Sequence, residues 1–184
     1  MENDYKKYIS PICIVVVLIY VLCCIIKKPA ELGDYTSYAG YAATVVTVFS
    51  IIYVKWIWKW KIWRIIGFEE LPVLHSKYVG KIKYNFIEPS EKNITLKISQ
   101  NLLSIKIKMV TDINRSYTIT SKIIKQNDIY YLYYTYQTHP QSMVRDCNPQ
   151  QYGSTQIIIE DSDNLQGIYW TTQKTTGDIF LHKA

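Results

Sequence analysis

Scarcity narrows this sequence before any motif does. There are four cysteines; Cys13, Cys23 and Cys24 fall inside one apolar run and Cys147 stands alone. They form neither a disulfide framework nor a metal-ligand spacing, which points to a reducing compartment and no metal. Histidine is as rare: His75, His139 and His182 are the three, far apart and none beside a second ligand. There is no Gly-rich phosphate loop, no Cys/His or Ser/His/Asp grouping, and no pair of carboxylates on one strand face. Asp161 and Asp163 read as turn formers. No enzyme, catalytic residue or cofactor is expected.

Charge is missing from two long stretches. Residues 9–26 are 18 residues without a charge, and residues 35–54 are 20 more. A helix needs about 20 apolar residues to cross the hydrocarbon core, so both qualify as transmembrane helices. KKPAELGD (27–34) turns the chain between them, making a helical hairpin. A secretory signal is the poorer reading, because Glu2 and Asp4 dilute the basic start and Lys27–Lys28–Pro29 is a poor cleavage site. Lys6 and Lys7 precede the first run, and Lys55, Lys59, Lys61 and Arg64 follow the second. Only Lys27 and Lys28 lie between, which places both termini in the cytoplasm. KWIWKWKIW (55–63) holds four of the five tryptophans, a composition suited to the membrane–water interface. No charged group lies inside either run, which disfavours an ion pathway. Ser37, Gly40, Ala43, Thr44 and Thr47 form a patch of small residues that permits close helix packing.

The net charge of +6 could suggest binding to DNA or RNA. Most of the excess flanks the apolar runs, where lipid headgroups account for it, so no nucleic-acid polymer is expected. The organisation read from composition is a two-helix membrane domain at 1–64, a linker at 65–75, and a second domain at 76–184.

That second domain alternates. KIKYNF, ITLKI and SIKIKM set isoleucine, tyrosine, phenylalanine and methionine on one face and lysine on the other, a period of two. Further strands are expected at 117–125, 130–137, 155–160, 166–172 and 177–182, separated by turn signals. Eight such strands predict an up-and-down, lipocalin-like β-barrel with room for side chains or one small ligand. If SQN (99–101) is a turn and not a bulge, the loops leaving the odd strands gather at one end, expected to point away from the bilayer. These are residues 89–92, 110–116, 138–154 and 173–176, and they carry Arg115, His139, Arg145 and Lys174. The 138–154 loop is long, and long loops in compact domains are usually functional.

Tyrosine is abundant, 17 in all. In YYLYYTY (130–136), if Leu132 faces inward then Tyr134 and Tyr136 do too. Aromatic walls and a few cations suit a small phosphorylated nucleotide better than a fatty acid. The competing class is a tethered module in which the barrel binds a protein or lipid and the helices only anchor it. A lipid carrier is a weaker third, because the tyrosine-rich strand argues against an aliphatic interior.

Three stretches carry a resemblance: LPVLHSKYVGKIKY (71–84), YLYYTY followed by HP (131–140), and LQGIYWTTQKTTGDIFL (165–181). They resemble the two-transmembrane, β-strand-rich effectors of CBASS, the cyclic-oligonucleotide antiphage system. Leu165, Gly167, Tyr169, Trp170, Thr171, Thr175 or Thr176, Gly177 and Ile179 fit the C-terminal pattern. Gln173 stands where that pattern has arginine, unless Lys174 takes the role one residue on. The resemblance implies that a cyclic dinucleotide from a partner nucleotidyltransferase binds the barrel, that the protein then forms a homo-oligomer, and that the clustered helices disrupt the bacterial inner membrane. The residues expected to meet the ligand are Arg115, Tyr134, Tyr136, Arg145, Lys174 and Thr175.

Overall fold

The alternating half of the chain closes on itself. In the computed structural model, which describes residues 4–27, 31–62, 71–86, 88–146 and 148–184, eight antiparallel strands follow in chain order: β1 (Lys77–Phe86), β2 (Glu88–Gln100), β3 (Ile105–Val110), β4 (Asn114–Gln126), β5 (Ile129–Pro140), β6 (Tyr152–Ile159), β7 (Asn164–Thr171) and β8 (Thr176–Lys183). Each pairs with its neighbour, and β8 returns to β1 with Gly80 opposite Leu181, so the barrel is closed. Closure leaves no free sheet edge. The expected up-and-down barrel is therefore present.

Its turns show why the strands run as they do. SQN ends a strand. Asn101 Oδ1 accepts hydrogen bonds from the Leu103 and Ser104 backbone N–H groups at 2.9 and 2.7 Å and from Ser104 Oγ at 3.1 Å, which reverses the chain into β3. At QND, Asn127 and Asp128 take φ of 50° and 63°, the left-handed pair that a tight hairpin requires. Three expected loops are shorter than expected. Residues 89–92 belong to β2, where Pro89 pairs with Asn85 and Glu88 with Phe86 at the hairpin end, a position that tolerates proline. The 110–116 loop shrinks to Thr111–Ile113, bound by the Thr111 N–H to the Asn114 carbonyl at 2.9 Å. The 138–154 loop becomes 141–151, because Thr138 clasps Gln151. Its N–H and Oγ1 donate to the Gln151 carbonyl (2.8 and 3.2 Å), and Oγ1 accepts the Gln151 N–H (2.9 Å).

Inside, Leu132, Ile157 and Leu165 are wholly buried, with Tyr78, Leu96 and Ile179 beside them. Burial of each such aliphatic side chain contributes about 1.5–3 kcal/mol. Leu132, Tyr134 and Tyr136 all point inward. The end at which the chain enters β1 is plugged. Leu74 is buried there, its N–H bonds to Gln100 Oε1 (2.9 Å), and Gln100 Nε2 donates to the Pro72 carbonyl (2.9 Å). Tyr78 donates its hydroxyl to the Ser162 carbonyl (2.7 Å) and accepts the His75 N–H (3.0 Å). The wall is least regular between β3 and β4. Only Lys108, Met109 and Val110 have backbone partners on β4, and β4 bulges between Thr118 and Thr120. Beyond that point, side chains hold the seam: Thr118 Oγ1 bonds both Ile107 N–H and its carbonyl (2.8 Å each), and Ser121 Oγ donates to the Ile105 carbonyl.

The N-terminal unit, Met1–Glu70, is a separate compact body. It holds α1 (Asp4–Lys27) and α2 (Leu32–Lys55), which pack on each other, and one 3-10 turn at Ile57–Lys59. Gly33–Lys55 is long and apolar enough to cross a membrane, and the apolar stretch Cys13–Lys27 is shorter. Large apolar side chains are exposed on both helices, Val17, Leu18, Ile25, Val45 and Val48 among them. The buried face of α2 runs through Ala42, Val46 and Tyr53. The small residues Ser37, Gly40, Ala43, Thr44 and Thr47 stay exposed, and the three hydroxyls bond back to carbonyls of their own helix. Much of the expected 65–75 linker, with Arg64, Trp63 and Cys147, lies outside the described residues.

Candidate functional site

Parity fixes where a site can form. The odd strands all finish at the end opposite the plug, and there the packed interior gives way to a cavity of about 290 Å³. That volume lies at the lower edge of ligand sites. Below the cavity the interior is solid with side chains.

Three tyrosines wall it. Tyr84 on β1, Tyr136 on β5 and Tyr169 on β7 line the cavity, with Ile82, Met109 and Ile113 as apolar neighbours. Two glycines make room for two of these rings. A Cβ on Gly153 would stand 2.4 Å from both Cζ and Oη of Tyr136, and one on Gly177 would stand 2.7 Å from Cε1 of Tyr169. Tyr134 lies one layer deeper, its ring centroid 5.8 Å from that of Tyr136, with its hydroxyl beside Thr155 and no well-formed hydrogen bond. Burial pushes the Tyr134 and Tyr169 hydroxyls up to about 12. Tyr136 is raised further by burial and by its two tyrosine neighbours. All three remain neutral donors at physiological pH.

The polar lining comes from strand ends and loops: Thr111, Asn114 and Ser116; Thr138, Asn148 and Gln151; and Thr171, Gln173 and Thr175. Among the described residues, the cations in the lining are Lys92 and Arg115. Lys92 Nζ lies 5.2 Å from the centroid of Tyr84. Arg115 is exposed at the rim, opposite His139 in the β4–β5 ladder.

The six residues expected from sequence thus separate. Arg115, Tyr136 and Thr175 come together around the cavity, and Tyr134 sits beneath it. Arg115 is a strand residue and not a loop residue, because β4 begins at Asn114. Arg145 and Lys174 are exposed and stand outside the lining. Lys174 takes a φ of 61° in the β7–β8 turn, and this left-handed kink leaves Gln173 and Thr175 in the lining. Of the two candidates for that position, Gln173 is therefore the one at the mouth. Sequence reasoning does not reach Asn114, Gln151 or Lys92, which it places in turns. Tyr84 and Tyr169 follow from the same inward parity as Ile82 and Ile179.

Residues 69–183 match the protein family described as Cap15, cyclic dinucleotide receptor domain. The chain is 34% identical over 144 residues to CD-NTase-associated protein 15 of Staphylococcus schleiferi, covering 78% of each chain. It is 24% identical over 153 residues to the protein of that name from Escherichia albertii, covering 78% of this chain and 79% of the relative.

Proposed function

Because the chain belongs to the Cap15 cyclic dinucleotide receptor family, we propose that it is an effector of CBASS antiphage defence whose barrel takes a cyclic dinucleotide at the tyrosine-walled mouth. The observation that carries the assignment to this place is the coincidence of stacking faces and cations at one end of the barrel. Tyr84, Tyr136 and Tyr169 offer flat rings for bases, and Lys92 and Arg115 offer charge to phosphates at the rim. The function is binding, with no cofactor and no catalytic step; the ligand comes from a partner nucleotidyltransferase.

The N-terminal unit is the output. Both α1 and α2 cross the bacterial inner membrane, with the two termini in the cytoplasm. Support comes from the uncharged runs at 9–26 and 35–54, the lysine distribution and the exposed apolar side chains. Ligand binding drives self-assembly, and the gathered helices breach the bilayer. Two features favour assembly. The small-residue face of α2 is left free by α1, with its hydroxyls already satisfied. Tyr152, Ile168, Trp170 and Phe180 form an exposed apolar patch across β6, β7 and β8. A ligand shifts the equilibrium only by binding the assembled state more tightly.

The test is calorimetry of the full chain in lipid nanodiscs against cyclic di-AMP, cyclic di-GMP, cyclic GMP–AMP and cyclic di-UMP. At least one binds, and Arg115→Ala weakens it about tenfold, as loss of one exposed charge-assisted hydrogen bond implies. Arg145→Ala and Lys174→Ala change affinity by less than about twofold, because neither lines the cavity. Absence of binding across the panel overturns the proposal. Retained toxicity after exchanging residues 1–64 for an unrelated anchor would favour the tethered-module reading.

A further inference from the structure

The wall of the mouth holds buried polar atoms whose hydrogen bonds are unmade. Among the described residues, Asn114 Oδ1 and Gln151 Oε1 are buried without a hydrogen-bond partner, and so is Thr171 Oγ1; all three residues line the cavity. The Gln151 side chain is oriented by its neighbours. Its Nε2 donates to Asn148 Oδ1 at 3.4 Å, and its backbone is clasped by Thr138. What remains uncommitted is the carbonyl oxygen. Asn114 is likewise held by its backbone, its N–H donating to Thr111 Oγ1 at 3.0 Å, which leaves Oδ1 unmet. Each orphaned acceptor has lost water and gained nothing, a cost recovered when a donor arrives.

The chemistry of those atoms sorts the parts of a nucleotide. A phosphate oxygen is an acceptor and finds no partner in an amide carbonyl. The cationic residues of the lining, Lys92 and Arg115, are where phosphates gain. A base edge is different. Adenine and guanine present exocyclic amino donors, and asparagine and glutamine pair with such edges. Uracil presents a single ring N–H flanked by two carbonyls, so it offers at most one donor to the two orphaned oxygens and sets its own acceptors beside them. Both side-chain oxygens are packed into the wall, so reading a base requires their side chains to turn toward the entering donor.

We propose that Asn114 and Gln151 read the base of the ligand, selecting cyclic dinucleotides whose bases carry an exocyclic amino group over those built from uracil. This rests on the cyclic-dinucleotide reading above and names the feature of the ligand that the site measures. A site built to hydrogen-bond a group discriminates strongly against an analogue lacking it, because its polar atoms are then left unpaired.

The experiment is calorimetry of the full chain in nanodiscs with cyclic di-AMP, cyclic di-GMP and cyclic di-UMP. The tighter of the two purine ligands is expected to bind at least tenfold more tightly than cyclic di-UMP. Asn114→Leu and Gln151→Met, which remove the acceptors, should shrink that ratio below about threefold. A merely structural role would lower both affinities together and leave the ratio unchanged, and that result overturns the inference. Where a variant fails to fold by near-UV circular dichroism, the wild-type ratio decides alone. Cyclic di-UMP binding as tightly as the purine ligands overturns base reading but leaves the receptor function standing. Failure of every ligand in the functional panel overturns the receptor function itself.

Discussion

Adding one methyl group at Gly153 should close the mouth. Gly153 on β6 pairs with Tyr136 on β5 and Thr171 on β7. A Cβ there stands 2.4 Å from Cζ and Oη of Tyr136 and 2.9 Å from the Trp170 carbonyl oxygen. Carbon atoms rest at about 3.5–4.0 Å, so the overlap with the ring exceeds roughly 1 Å. The Trp170 carbonyl belongs to the sheet and cannot give much. The phenol must swing, yet it is 3% exposed and packed on Tyr134. Overpacking of this kind costs about 1–3 kcal/mol. For a domain near 100 residues that lowers the melting temperature by roughly 4–24 °C. The displaced ring no longer presents its face to the cavity, so ligand affinity falls at least about tenfold, equivalent to 1.4 kcal/mol. The assay is thermal unfolding of the full chain in detergent by near-UV circular dichroism, paired with calorimetry. Combining Gly153→Ala with Tyr136→Leu should recover at least about 1 kcal/mol relative to the sum of the single effects, without restoring affinity. Wild-type melting and affinity in Gly153→Ala, or simple additivity in the double variant, would refute the packing argument.

Two further outcomes follow from the plugged end. Tyr78→Phe removes the hydroxyl that bonds the Ser162 carbonyl and accepts the His75 N–H; it should cost about 1–3 kcal/mol in thermal unfolding and leave ligand affinity within about twofold. Asp161 is held below its ordinary value by the Asp163 N–H and the Asn164 side chain. Its contribution is complete above the unfolded value near 3.9 and is lost as pH falls through the folded one. Melting temperature measured from pH 6 to pH 3 should therefore drop less steeply in Asp161→Ala than in the wild type.

Strand number and direction were legible because lysine marks the wet face at KIKYNF, ITLKI and SIKIKM, and because turn residues such as Asn101 and Asn127–Asp128 have few alternatives to reversing the chain. Loop lengths were less so. PSEK reads as a turn from composition, but its backbone stays in register with β1 to the hairpin end. The 138–154 loop is trimmed by a Thr138–Gln151 clasp that no local pattern announces. The site divided in the same way. Inward parity gives Tyr136 from Leu132, whereas Asn114 and Gln151 matter through lost hydrogen bonds, which only a three-dimensional arrangement can reveal. Lys174 and Gln173 exchange places because one left-handed backbone angle decides which of two adjacent side chains meets the cavity.

The seam between β3 and β4 gives the barrel a soft side. Backbone ladders break residue by residue at a high cost, but a join made by the hydroxyls of Thr118 and Ser121 can slip by rotation about single χ1 angles. The loosened stretch, Ile105–Ile107 against Thr118–Ser121, lies toward the plugged end, while the ladder from Lys108 to Val110 holds at the mouth, so the circumference can lengthen below the cavity while seven other joins hold. In β4 beyond Thr118, the amides that face β3 are expected to exchange with deuterium faster than those laddered to β5, and equal rates on the two sides would show the seam to be as firm as its neighbours.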